Sequence, residues 1–216
     1  MKLKRFFMFT AIFACGSVAQ GELSNEYIAS WMGSEGSSYY GWDNFSTADY
    51  ADPNWNEDGT PYSAMLMNMG AGATVTGTGN IYGYGGPLNI HLYGSGDVDA
   101  AVLNMGFMGT MIDLDGVSMF AQLADGSGAY LSATDMYEME YAEIPDMGVD
   151  AEYAFEFDLT GLGQEVVEWG FFFESLGPHT SLDAVSVQTI VGAIPAPGAL
   201  VLLGLAGCSI RRRRTA

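Results

Sequence analysis

Between Phe45 and Asp183 apolar and polar residues alternate in short runs broken by Gly, Asn and Asp. Alternation of period two over four to eight residues is the signature of strands with one buried face. Ala73 to Thr78 is β-branched and alternating, and Ile81 to Tyr84 follows a Gly-Asn turn. Leu88, Ile90 and Leu92 share one face of the next run, which leaves His91 on the other. Val117 to Leu123 and Ala129 to Met136 are further strands. The strongest is Ala151 to Leu159, with Tyr153, Phe155, Phe157 and Leu159 inward and Glu152, Glu156 and Asp158 outward. Val166 to Glu174 and Leu182 to Val191 complete the set, and the Met-rich stretch from Met65 to Gly72 reads as strand and turn. Eight to ten short strands without an amphipathic helix predict an all-β fold, a two-sheet β-sandwich of jelly-roll type over residues 22–188.

Charge narrows the functions open to this body. All seven basic residues lie at the ends, as Lys2, Lys4, Arg5 and Arg211 to Arg214, while the 26 acids lie between Phe6 and Ile210. A body without cations repels phosphate backbones, so a nucleic-acid partner is excluded. Its carboxylates must be solvated, hydrogen-bonded or neutralised by bound cations, since no Lys or Arg is there to pair with them. A solvated acidic surface suited to a salty exterior is one reading, and Ca²⁺ sites are the other. Cys15 and Cys208 lie outside the body, so no disulfide can brace it.

The ends read as addresses. Lys2, Lys4 and Arg5 precede an apolar run from Phe6 to Gly16 and a small-x-small site at Ser17-Val18-Ala19, which predicts a signal peptide over residues 1–19. Lipidation at Cys15 is the weaker alternative, because Phe13 is bulky for such a site and the apolar run before it is short. At the other end, Gly198 to Ile210 is thirteen apolar or small residues, about 20 Å as a helix. With the uncharged approach from Thr189 it reaches a bilayer span, and Arg211, Arg212, Arg213 and Arg214 then form a cytoplasmic stop that leaves the acidic body outside. Residues 193–216 are therefore expected to sort or anchor an exported protein at the cell surface.

The order Pro195-Ala196-Pro197-Gly198, apolar run, arginine block resembles the PEP-CTERM sorting signal, with Ala196 where that motif carries Glu. The resemblance implies handling by an exosortase-type membrane protease that removes the tail; the Ala196 departure leaves a variant sorting enzyme or permanent anchoring equally open. Phe157-Asp158-Leu159, the strand Val166 to Glu174, and the run His179-Thr180-Ser181-Leu182-Asp183-Ala184-Val185-Ser186-Val187 also look like PEP-CTERM protein bodies. That likeness speaks to fold rather than activity.

Candidate chemistry in the body is sparse. Two histidines, no Cys and no Gly-x-Ser-x-Gly elbow give no nucleophile, base and orienter to name together, so no catalytic residue is assigned. Asp52, Asn54, Asn56 and Asp58 place oxygens at alternate positions before Gly59, as a calcium loop does, although Met65 stands where the bidentate Glu belongs. A solvated Asx-turn loop is the plainer reading of the same residues. Asp113-x-Asp115 and Asp97-x-Asp99 are weaker versions. Core packing is the commoner fate of tryptophan, and Trp169 fits it; Trp42 and Trp55, flanked by Asp and Asn, are better placed to stack on sugars. The expectation is a non-enzymatic structural or adhesive protein of the surface or extracellular matrix. A carbohydrate-binding module for extracellular polysaccharide, with or without the assistance of Ca²⁺, comes second, and a secreted hydrolase third.

Overall fold

The computed structural model describes residues 3–5, 23–60 and 62–192. The sorting motif and the arginine block lie outside these residues, as does the signal peptide except for 3–5. No helix long and apolar enough to cross a membrane occurs among the described residues.

The chain forms two sheets. The first holds β1 (Leu3–Arg5), β2 (Ser37–Trp42), β4 (Asp58–Gly59), β6 (Ala73–Val75), β7 (Ile81–Gly83), β9 (Ala100–Gly109), β12 (Asp135–Ile144), β13 (Gly148–Asp158) and β15 (Thr180–Ile190). Its main order is β1-β12-β13-β9-β15-β2-β4, with β7 and β6 added beside the start of β15. The second has six strands: β3 (Asn54–Trp55), β5 (Ala64–Asn68), β8 (Asn89–Ser95), β10 (Ser118–Leu123), β11 (Gly128–Ser132) and β14 (Val166–Glu174). Their order is β11-β10-β14-β8-β5-β3. All pairings are antiparallel except β1 on β12.

The sheets pack face to face as a β-sandwich. Phe157 of β13 meets Phe171 of β14 edge-on at 5.3 Å, and Tyr40 of β2 meets Trp169 of β14 at 5.3 Å. The inward set of β13 is as its alternation predicts, with Tyr153, Phe155, Phe157 and Leu159 all buried. Each such side chain contributes about 1.5–3 kcal/mol by leaving water. Leu88, Ile90 and Leu92 likewise share the core, and His91 faces outward.

Alternation fails as a guide where both faces of a strand are covered. β9 is buried at nine of its ten positions, and its run Ala-Ala-Val-Leu-Asn-Met-Gly-Phe carries no period-two signal. The second cover is residues 23–31, a strap across the outer face of the nine-stranded sheet. Tyr27 stacks on Tyr137 with centroids 4.6 Å apart, and Ala29 joins Val102, Tyr137 and Ala154 in a small outer core. Polar groups under the strap fix its register. Gln188 accepts from the Ala29 amide at 2.9 Å and donates to the Tyr27 carbonyl at 2.7 Å, while Asn104 accepts from the Tyr27 amide at 3.1 Å. Glu152 takes the amides of Ser24 and Asn25 at 2.7 and 2.8 Å, and Glu156 takes the Tyr27 hydroxyl at 2.7 Å. The outward carboxylates of β13 are thus neutralised by hydrogen bonds in place of cations.

The strap changes the standing of the two sheets. The nine-stranded sheet has no free central face, whereas none of the strap contacts reaches the outer face of the six-stranded one.

Candidate functional site

One cross-strand row on that outer face runs through all six strands. Tyr130 pairs with Phe120, Phe120 with Gly170, Gly170 with Tyr93, Tyr93 with Met65 and Met65 with Trp55. Residues directly opposite one another on paired strands share a face, so these side chains form one ladder. Five steps of 4.7–4.9 Å give it a length of about 24 Å. The next row adds Phe172 and His91, with His91 edge-on to Phe172 at 4.7 Å. Phe120 and Tyr130 lie 5.0 Å apart, and Tyr93 meets Phe172 at 5.9 Å. Two glycines make room. A Cβ at Gly170 would stand 3.1 Å from the Tyr93 ring, and one at Gly128 would stand 2.6 Å from the Phe120 ring.

The ends of the ladder are open to solvent. Tyr130 is 76% exposed and Trp55 43%. Beside Trp55, at 6.1 Å and roughly perpendicular, stands Tyr62, 74% exposed and held at φ 61°. A bulky residue in the left-handed region is strained by about 1–3 kcal/mol, and such strain is concentrated at working sites. Between Trp55, Tyr93 and Phe120 lies a cleft of about 310 Å³, bordered also by Ser63, Ser95 and Glu168. Behind it the indole of Trp169 lies over Gly94, where a Cβ would come within 2.2 Å of the ring. Its buried Nε1 has no hydrogen-bond partner, a cost of about 1–3 kcal/mol.

His91 is an uncharged part of this face. Its Nδ1 lies 3.0 Å from the Tyr93 hydroxyl and its Nε2 2.9 Å from Asn89 Oδ1, and burial pushes its pKa down.

The residues expected to bind sugar separate. Trp55 is on the platform. Trp42 is not: it is 2% exposed, and its Nε1 donates to the Asn54 carbonyl at 3.0 Å. Its flanking Asp and Asn belong to the loop, while the indole points into the sandwich and ties β2 to the edge strand of the opposite sheet.

The calcium loop is also put to another use. Asn54 Oδ1 accepts from the amides of Ser46 and Thr47 at 2.8 and 3.1 Å, and its Nδ2 donates to the Thr47 carbonyl at 3.0 Å. Asn56 Oδ1 accepts from the amides of Ser63 and Ala64, each at 3.0 Å, and its Nδ2 donates to the Asp58 and Thr60 carbonyls, each at 2.8 Å. Both amides are buried and their lone pairs are occupied, so neither oxygen is available to a cation. Asp52 and Asp58 are exposed. These residues staple a loop that crosses from one sheet to the other, and they do so as buried amides bonded to backbone seven and eight residues away, where a solvated Asx turn is the plainer expectation. The weaker acidic turns do similar work: Asp97 accepts from Val98 and Val166, and Asp113 from Gly116. Among the described residues no group of three or more His, Cys, Asp or Glu is placed to hold a metal ion.

A carboxyl cluster at the β2–β4 edge was not foreseen from the sequence. Glu57 is pushed up from its ordinary 4.5 to about 7, through desolvation first and then hydrogen bonding and repulsion from Asp43. Glu26 is raised by burial against Ser186, Gln188 and Tyr39, and Asp183 is raised by burial beside Asn80. A carboxyl raised by folding binds its proton more tightly in the native state, so its contribution is present at acid pH and lost as pH rises through the native value. His91 acts in the opposite sense, but it is one group against three. The melting temperature is therefore expected to fall as pH is raised from about 5 to about 8, and added salt should recover part of the loss. A melting temperature that rose across that interval would contradict this account of the cluster.

No known family model matches the chain, and neither does any curated protein.

What the site can do therefore rests on its own chemistry. A partly exposed ladder of tilted aromatic rings offers faces for stacking against the C–H surfaces of pyranose rings. Ser63, Ser95 and Glu168 beside the cleft supply hydroxyl and carboxylate groups for sugar hydroxyls. The hydrogen-bonded Asp43–Glu57 pair is closer than the carboxyl separation of about 5 Å used by retaining glycosidases.

Proposed function

We propose that this chain is a non-enzymatic exported surface protein that adheres to extracellular polysaccharide through the outer face of its six-stranded sheet. The observation that carries the reading is the ladder Tyr130–Phe120–Gly170–Tyr93–Met65–Trp55, left uncovered by the described residues while the opposite face is strapped. Single exposed aromatic side chains are ordinary, but a contiguous row of them across the solvent side of a sheet is the kind of patch that marks an interaction surface. The strand orders β2-β15-β9-β13 and β8-β14-β10-β11 support a jelly roll, because the chain passes between sheets at β8, β9 and β10 and again at β13, β14 and β15.

Trp55→Ala is expected to weaken retention by polysaccharide in affinity electrophoresis by about tenfold or more, with little change in melting temperature. Unchanged retention would remove Trp55 from the binding surface.

The address remains a proposal from the ends of the sequence: export by residues 1–19, then membrane engagement of the PEP-CTERM-like tail and sorting by an exosortase-type protease. Mass spectrometry of the surface-bound protein is expected to give a C-terminus near Pro195 to Gly198, without Arg211 to Arg214. Arginines still attached would favour permanent anchoring.

A further inference from the structure

Resting on that reading, we infer that the polymer is cationic, an amino-sugar chain whose protonated amine sits in the Trp55–Tyr93–Phe120 cleft against Glu168. The cleft is walled by aromatic side chains, whose ring faces attract ammonium groups. Glu168 is the one carboxylate among its lining residues, it is exposed, and no Lys or Arg lines the cleft to compete for it. Glu168 lies on β14 opposite Ser95 and Gln122, on the face shared with the ladder. An ammonium beside Glu168 would make a charge-assisted hydrogen bond while the rest of its sugar ring stacks on an aromatic face.

Charge at long range points the same way. No Lys or Arg occurs from Phe6 to Ile210, and 26 acids are spread through that stretch. Uronate or sulfate polymers would be repelled without any basic residue to hold them, and a polycation would be drawn in at a rate that falls with salt. The exposed aromatic row supplies affinity for the sugar rings, and the acids supply the choice among them.

The test compares a glucosamine polymer, its fully N-acetylated counterpart and an unsubstituted neutral glucan, titrated against the purified full chain at mildly acidic pH. The glucosamine polymer is expected to bind about tenfold more tightly than the acetylated form, with the advantage shrinking as salt rises. Glu168→Gln should remove most of that preference, lowering binding of the glucosamine polymer far more than that of the neutral polymers, whose hydroxyls the amide can still hydrogen-bond. Equal affinity for the three polymers would overturn the inference and leave the polysaccharide-binding reading standing. A preference undiminished in Glu168→Gln would overturn the assignment to this cleft, since diffuse charge would then account for it. Binding to none of them would overturn both.

Discussion

Trp42→Ala is expected to lower the unfolding free energy by about 3–5 kcal/mol, a large part of the stability of an ordinary domain. The indole is buried between the sheets, and its Nε1 holds the Asn54 carbonyl at 3.0 Å. Removing it leaves a cavity and an unpaired carbonyl on β3, the strand that also carries Trp55. The measurement is a denaturant titration, where the midpoint should fall with little change in slope. A loss under about 1 kcal/mol would contradict the interior position of the ring. Trp55→Ala, on the solvent side of the next strand, should show the opposite profile: small in stability, large in binding. The two substitutions separate residues that look alike in sequence.

Gln188→Ala should release the strap. Gln188 is fully buried and bridges two backbone groups of residues 23–31, so truncation orphans the Ala29 amide and leaves the Tyr27 carbonyl with the longer bond from Asn104 Nδ2 at 3.3 Å. The cost is about 2–4 kcal/mol from one unpaired amide, one weakened hydrogen bond and a small cavity. Much of it is expected locally. Amides of residues 24–29 should exchange faster, and a protease should cut there first, while β13 and β14 keep their protection. Unchanged exchange at Ala29 would show that the strap is held by Tyr27 stacking and the Glu152 contacts alone. Freed of the strap, the outer side of β9 and β13 would expose Val102 and Ala154, so the variant should also bind more hydrophobic dye.

Where one sheet face meets solvent, the sequence was readable: β8, β10, β13 and β14 fall where alternation puts them, with β14 matching Val166 to Glu174 at both ends. β9 was missed because the strap buries its second face, and no local pattern distinguishes a doubly buried strand from other apolar runs. β12 was missed past Met136 because a register shift between Glu138 and Glu140 breaks its alternation, and Glu140 and Glu143 lie beyond the β1 pairing, where charge discourages further pairing. Ala129 to Met136 is two strands, divided at Ala133 and Thr134.

The binding face was half legible. In the β8 run, placing Ile90 and Leu92 inward puts His91 and Tyr93 outward, and in β10 the same step puts Phe120 outward. Aromatic residues at polar positions were the available signal. Their alignment into one row was not, because register between β10, β14 and β8 is set by long-range pairing. Asn54 and Asn56 misled for a physical reason: a loop that needs side-chain oxygens to satisfy its own amides has the same composition as one that offers them to calcium.

The central claim is that Trp55 and its row stack on sugar, and tryptophan fluorescence reads it most directly. Trp42 and Trp169 are buried, Trp169 behind the cleft, and Trp31 is half-buried at the strap, so a shift to shorter wavelength on ligand binding reads Trp55, the solvent-exposed indole of this face. Titration with soluble oligosaccharides of the bound polymer should shift emission to shorter wavelength and saturate. Trp55→Ala should abolish the shift, and Trp31→Ala should keep it. A saturable shift that survives Trp55→Ala, or polysaccharide binding with no change at Trp55, would contradict the account.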